Sequence, residues 1–183
     1  MNRAKGLTEV TTRKLESYST PVYLSERANL SRREVQSIQR NTAKAYKKYN
    51  FSTLAMPTIV IVDQKELSGA FGLYDCVTNT VYYSSDITNK AGMAQNGGTG
   101  VTEYHEMWHA KQADDFAVKG YTFTEENRNE YIRKLRKLCK KRIDNLGITT
   151  DNVGELSKYA RTSYVLKNWD EVEAEYYAYH RKR

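Results

Sequence analysis

The sequence predicts an α+β fold: a small, mostly antiparallel sheet packed on one helix near the middle of the chain and on further helices towards its C-terminal end. Three observations carry this. One helical face repeats over 31–49, β-branched and alternating segments cluster between 58 and 84, and helical periodicity returns from 101 onward. At 183 residues the chain can build one ordinary core. The organisation is read as an N-terminal arm over 1–30, where residues 1 to about 20 show no clear period, followed by one domain over 31–183.

Ser31-Arg-Arg-Glu34 has the form of a capping box, and Val35, Ile38, Thr42, Tyr46 and Tyr49 then recur on one side of a helix over 31–49. Pro57 precedes Thr58-Ile-Val-Ile-Val62, a β-branched run of strand length. Residues 70–75 and 80–84 flank Cys76-Val-Thr-Asn79 and read as two antiparallel strands around a short turn. From Ser85 the chain is polar and ends in Asn96-Gly-Gly-Thr-Gly100, which reads as a mobile loop; it lacks the Lys-Ser/Thr pair of a phosphate-binding loop and follows no strand directly. A helix over 101–119 is stopped by Gly120. Thr122-Phe-Thr-Glu125 offers a second capping box, ahead of the longest helix expected, whose stripe is Tyr131, Leu135, Leu138, Cys139, Ile143 and Leu146. A short helix is expected near 152–158, and Asn168-Trp-Asp-Glu171 opens a last one running to about His180.

Composition narrows the class of protein. Hydrophobic residues at 39% and charged residues at 28% describe a soluble globular chain. No run approaches the roughly 18 apolar residues of a membrane span, so no membrane partner is expected. The N-terminus has no apolar core of a secretory signal, which predicts a cytoplasmic protein or a trimmed piece. Cys76 and Cys139 are too few for a disulfide framework and read as buried thiols. The net charge of +7 is concentrated in Arg133–Arg142, where apolar residues interrupt the cations at helical spacing. That run reads as a solvated helix face, with a nucleic-acid or acidic-partner patch as the alternative; no nucleic-acid-binding motif accompanies it. The 15 tyrosines read as half-buried core rather than a platform for stacked bases.

The chemistry centres on His105-Glu106-Met107-Trp108-His109. Residues four apart share a helix face, so His105 and His109 can direct two imidazole nitrogens at one metal ion, with zinc the expected choice. Glu106 sits beside that face, where its carboxylate can take the proton of an attacking water. Of the chain's 3 histidines, two occupy these positions, inside a stretch that also holds Val101, Tyr104, Trp108 and Phe116. The alternative is a core helix whose histidines only form hydrogen bonds, which would set polar groups beside Trp108 for no gain.

A catalytic zinc needs a third protein ligand. The continuation HxxGxxH fails, because Gln112 stands at the glycine and Asp115 at the histidine. Asp114 and Asp115 remain fallback ligands. The stronger candidate lies in Asp170–Tyr179, where Glu171, Ala174, Glu175 and Ala178 form a face of two carboxylates and two small residues that can pack closely on another helix. Glu171 can then reach the metal while Glu175, one turn later, holds a liganding imidazole. Against this stands a purely local role, with Glu171 closing a capping box with Asn168 and Glu175 solvated.

With these residues the chain resembles the gluzincin metallopeptidases, in particular the branch that includes anthrax lethal factor, whose C-terminal helix carries ExxAE. The resemblance covers about residues 55 to 183 and implies a zincin-like metallopeptidase fold, a Zn²⁺ cofactor and a peptide or protein substrate. It also implies a tyrosine that stabilises the oxyanion: Tyr159, in Ser157-Lys-Tyr-Ala-Arg-Thr162, matches first, and Tyr164 fits a shorter spacing to Glu171. In that reading a substrate strand pairs with an edge strand near Thr80 to Ser84. The order of elements is also similar to zincin-like domains of tailed-phage minor head or head-morphogenesis proteins. That likeness implies a virion-associated protein with phage structural partners, proximity of the basic surface to DNA, and a zinc site that is non-catalytic or maturational.

Overall fold

In chain order the computed structural model, which describes residues 12–15, 20–95 and 97–181, forms the following elements. The first half holds β1 (Thr12–Lys14), β2 (Val22–Ser25), α1 (Arg32–Tyr49), β3 (Thr58–Val62), β4 (Gly72–Asp75), β5 (Thr80–Ser84) and α2 (Lys90–Gln95). The second half is helical: α3 (Val101–Val118), α4 (Arg128–Asn145), α5 (Lys158–Val165) and α6 (Trp169–Tyr179). Short 3₁₀ turns lie at Gln64–Leu67, Ser85–Thr88 and Val153–Glu155.

The strands form one mixed sheet in the order β1-β2-β3-β5-β4. The expectation of a mostly antiparallel sheet is corrected here: β2 runs parallel to β3, and β3 parallel to β5, while β1–β2 and β4–β5 are antiparallel. The cause is the crossover through α1, which returns the chain to the same end of the sheet before β3 begins. The hairpin forms as expected, with Asp75 opposite Thr80, but it folds so that β5 enters beside β3 and β4 becomes the border. Thr80–Ser84 is therefore an interior strand, and the edge is Gly72–Asp75.

The reading of 1–30 as an arm is corrected for its described part. Val22 and Leu24 of β2 and Ala28 are buried in the main core, and β1 pairs with β2. Residues 1–11 and 16–19 lie outside the described residues. Two further local readings change. The loop expected over 85–100 contains a 3₁₀ turn and α2, in which the Asn89 side chain accepts from the Gly92 N–H. The capping box at Thr122–Glu125 does not form, because Thr124 instead exchanges hydrogen bonds with Asn127, and α4 starts at Arg128. The box at Ser31 does form, with Glu34 returning to the Ser31 N–H at 2.7 Å. Cys139 is buried as expected, whereas Cys76 is only partly so.

Alternation along the strands places Val22, Leu24, Ile59, Ile61, Val81 and Tyr83 on one face of the sheet, against Val35, Ile38 and Ala45 of α1 and Met107 and Ala110 of α3. The opposite face carries a smaller cluster of Val60, Val62, Leu67, Leu73 and Tyr82. Helix α3 packs against α1, against the β4–β5 hairpin and against α6, so nearly its whole circumference is buried. A helix enclosed in this way must find partners for every polar side chain it carries.

Asp114 shows how. Its carboxylate is fully buried and accepts from the backbone N–H groups of Ser52, Thr53 and Leu54 at 2.7–2.9 Å, from the Thr53 hydroxyl and from Lys111, fastening the segment after α1 to α3. Burial alone would raise its pKa, but these donors outweigh it and hold the carboxyl well below the usual carboxylate range. Stability from this contact is therefore complete above the ordinary carboxylate pKa and is lost as pH falls through the depressed folded value. Asp114→Asn should cost about 3 kcal/mol at neutral pH, measured by urea unfolding, and the deficit should shrink in acid.

Candidate metal centre

His105, Glu106 and His109 come from the middle of α3, and Glu171 from the first turn of α6, the helix packed alongside. The two imidazole Nε2 atoms lie 3.1 Å apart. Glu171 Oε2 lies 3.1 Å from the first and 3.3 Å from the second. Among the described residues, this His105–His109–Glu171 group is the cluster of donor atoms able to hold a metal ion. Donors around a tetrahedral zinc with bonds of about 2.0–2.1 Å stand roughly 3.3–3.4 Å apart, so the three atoms are spaced as one such ion requires. Asn168 makes no side-chain cap to α6, so Glu171 is not engaged in a capping box.

The electrostatics favour a cation between these atoms. Burial alone would depress the imidazole of His105, but the carboxylates of Glu171 and Glu175 outweigh it and push its pKa well above the usual histidine value. His109 is raised in the same sense, against burial and chiefly by Glu171. Glu171, which burial would raise, is held well below the usual range by the two imidazoles. Positive charge is wanted here, and a divalent ion supplies more of it than a proton.

Outer contacts hold the donors. Glu175 Oε1 sits 3.1 Å from His105 Nδ1, an ion-pair distance with a bent rather than linear approach, and its Oε2 accepts from the Ser157 hydroxyl at 2.8 Å. The Ser157 oxygen in turn accepts from the Ala160 N–H and so caps α5. Gln112 Oε1 lies 2.9 Å from His109 Nδ1. The sequence alone marks neither Ser157 nor Gln112 for these contacts; a serine opening a helical stretch and a polar residue at i+3 from His109 were the available signals.

Glu106 is buried, and burial raises its carboxyl pKa. Its side chain lies against Gly72 of the edge strand, where an added Cβ would stand 2.6 Å from Glu106 Cγ and 2.7 Å from Oε1. Nothing in the sequence marks Gly72 for this; only the fold brings it there. Tyr159, on α5, donates its hydroxyl to Glu171 Oε2 at 3.0 Å, and its ring is steeply inclined to that of His105 at 6.1 Å. Burial of that hydroxyl and the neighbouring Glu171 charge push its pKa up, so it remains a donor at neutral pH.

Other candidates lie elsewhere. Tyr164 packs edge-on against Trp169 in the cluster of Ile143, Val153 and Val172, away from the histidines, because α5 turns that side of its surface to α4 and α6. Asp114 is engaged as described, and Asp115 pairs with Lys111 and Arg142, so neither fallback ligand joins the group. Within the basic run, Lys134, Arg136, Lys140 and Arg142 pair with Glu130, Asp170, Asp144 and Asp115. Among the described residues no helix is long and apolar enough to cross a membrane.

No family model, curated protein or solved structure matches this chain. On geometry alone, Glu171→Ala should weaken zinc binding by more than the roughly 10–100-fold typical of losing an outer partner. Tyr164→Phe should leave it unchanged, both read by competition with a chelating dye.

Proposed function

We propose that this chain is a zinc-dependent metallopeptidase with a gluzincin-like site and a zincin-like arrangement of sheet and helices. The observation that carries the reading is the convergence of His105 Nε2, His109 Nε2 and Glu171 Oε2 within 3.3 Å of one another, next to a buried glutamate that ligates nothing in the group. A zinc ion held by these three residues would polarise a peptide carbonyl and make a nearby water acidic enough to attack at neutral pH.

The chain's own residues supply the rest. Glu106, with its pKa raised by burial, is suited to take the proton of the attacking water and to return it to the departing amine. Tyr159, already a donor towards the centre, can turn its hydroxyl to the oxyanion that develops on the carbonyl. Strand β4 borders the sheet and packs on α3, which favours an extended peptide added along that edge; the edge is Gly72–Asp75 rather than Thr80–Ser84. Gly72 leaves the room in which Glu106 sits between that edge and the metal ligands.

Glu106→Gln and Gly72→Ala test this together. Both should bind zinc within a few-fold of wild type and lose peptide cleavage, by about 10²–10⁴-fold for the loss of a general base. The assay is turnover of a mixed quenched-fluorescent peptide library by the zinc-loaded proteins. Undiminished cleavage by Glu106→Gln would contradict the assigned role. Tight zinc binding by a wild type that cleaves no peptide would favour the non-catalytic, stabilising site of a virion-type domain instead.

A further inference from the structure

Gln112 stands three residues beyond His109 and is wholly buried. Its side-chain nitrogen donates to the Asp170 carbonyl at 2.9 Å and to Glu173 Oε2 at 2.9 Å. The Asp170 carbonyl can only accept, so the amide cannot be reversed without setting its oxygen against another oxygen. The orientation is thus fixed by chemistry, and Oε1 must be the atom 2.9 Å from His109 Nδ1. An amide oxygen only accepts. His109 Nδ1 therefore has to carry the proton, and in a neutral imidazole that leaves Nε2 as a bare lone pair facing Glu171 and His105.

From this we infer that Gln112 is a positioning residue that locks His109 in the Nδ1–H tautomer and so makes Nε2 its ligand atom. The inference builds on the metal-site reading above. The lock is itself anchored: Glu173 is fully buried, faces Arg142 at 3.5 Å, and Arg142 is held by Asp115 of α3. Gln112 thereby ties the second histidine to both α4 and α6. The two histidines are held by different chemistry. His105 faces the carboxylate of Glu175, which adds a negative charge beside the ring, whereas the Gln112 amide selects a tautomer at no cost in charge. An added carboxylate at 112 would instead stand against buried Glu173.

The test reads the tautomer directly. Long-range ¹H–¹⁵N correlation of the histidine rings in metal-free wild-type protein, at a pH alkaline enough for neutral imidazoles, should show His109 with its proton on Nδ1. Gln112→Met, close in volume but unable to accept, should give a mixture of tautomers at His109. Zinc affinity in that variant, by chelator competition, should fall about 10–100-fold, the effect typical of removing an outer partner of a liganding histidine. A proton on Nε2 of His109 in wild type would overturn the inference, as would a folded Gln112→Met protein that binds zinc as tightly as wild type. Should the variant not fold, the wild-type spectrum still decides. A wild type that holds the Nδ1–H tautomer yet binds no zinc would defeat the metal-site reading and leave the positioning role standing.

Discussion

Two imidazole nitrogens and a carboxylate oxygen, each offering a lone pair, repel one another when held about 3 Å apart in a buried place unless a proton or a metal ion lies among them. In this protein His105, His109 and Glu171 are held that way by two packed helices, and the surrounding structure serves to keep them there. Helix α3 is clamped by the sheet and α1 on one side and by α6 on the other. The small residues Ala174 and Ala178 are fully buried, as close approach of α6 requires. Helix α5 brings Tyr159 to the same carboxylate and, through Ser157, braces Glu175.

Burying a helix so polar has a cost that the structure meets with paired groups. Asp114 takes up three backbone N–H groups that would otherwise lack partners, and Gln112, Glu173 and Arg142 form a connected set across α3, α6 and α4. Arg142 Nη1 and Glu173 Oε1 make no hydrogen bond and meet as an ion pair at 3.5 Å, so removing any member of the set leaves a buried polar group without compensation, although none reaches the centre. The division of labour on α3 follows its faces: apolar residues such as Met107 and Ala110 look to the sheet, the histidines to α6, and Glu106 to the edge strand.

What could be read from the sequence followed the range of the interactions. His105, Glu106 and His109 were legible because an i, i+4 pair on a helix is a local geometry, and α1 because Ser31 and Glu34 cap it within one turn. Glu171 and Glu175 were legible as chemistry on a helix face, and the choice between ligand and cap needed the position of α6. Tyr159 and Tyr164 could not be separated, since which side of α5 meets the histidines depends on how α5 packs. The parallel pairing of β2 with β3 arises from the crossover through α1, and the place of β4 at the border from β5 entering between it and β3; neither carries a local signal. Strand β2 escaped notice because Val22-Tyr-Leu-Ser25 is too short to display a period, and Gly72 because its importance lies in what a side chain would strike.

The roles assigned to these residues all depend on His105, His109 and Glu171 holding one metal ion through two imidazole Nε2 atoms and one carboxylate oxygen. Zinc K-edge X-ray absorption on the stoichiometrically loaded protein addresses it most directly. The expected spectrum has a first shell of nitrogen and oxygen at about 2.0–2.1 Å with the outer-shell pattern of two imidazoles. Sulfur scattering at about 2.3 Å, which would place Cys76 or Cys139 at the metal, or a shell without imidazole, would contradict it.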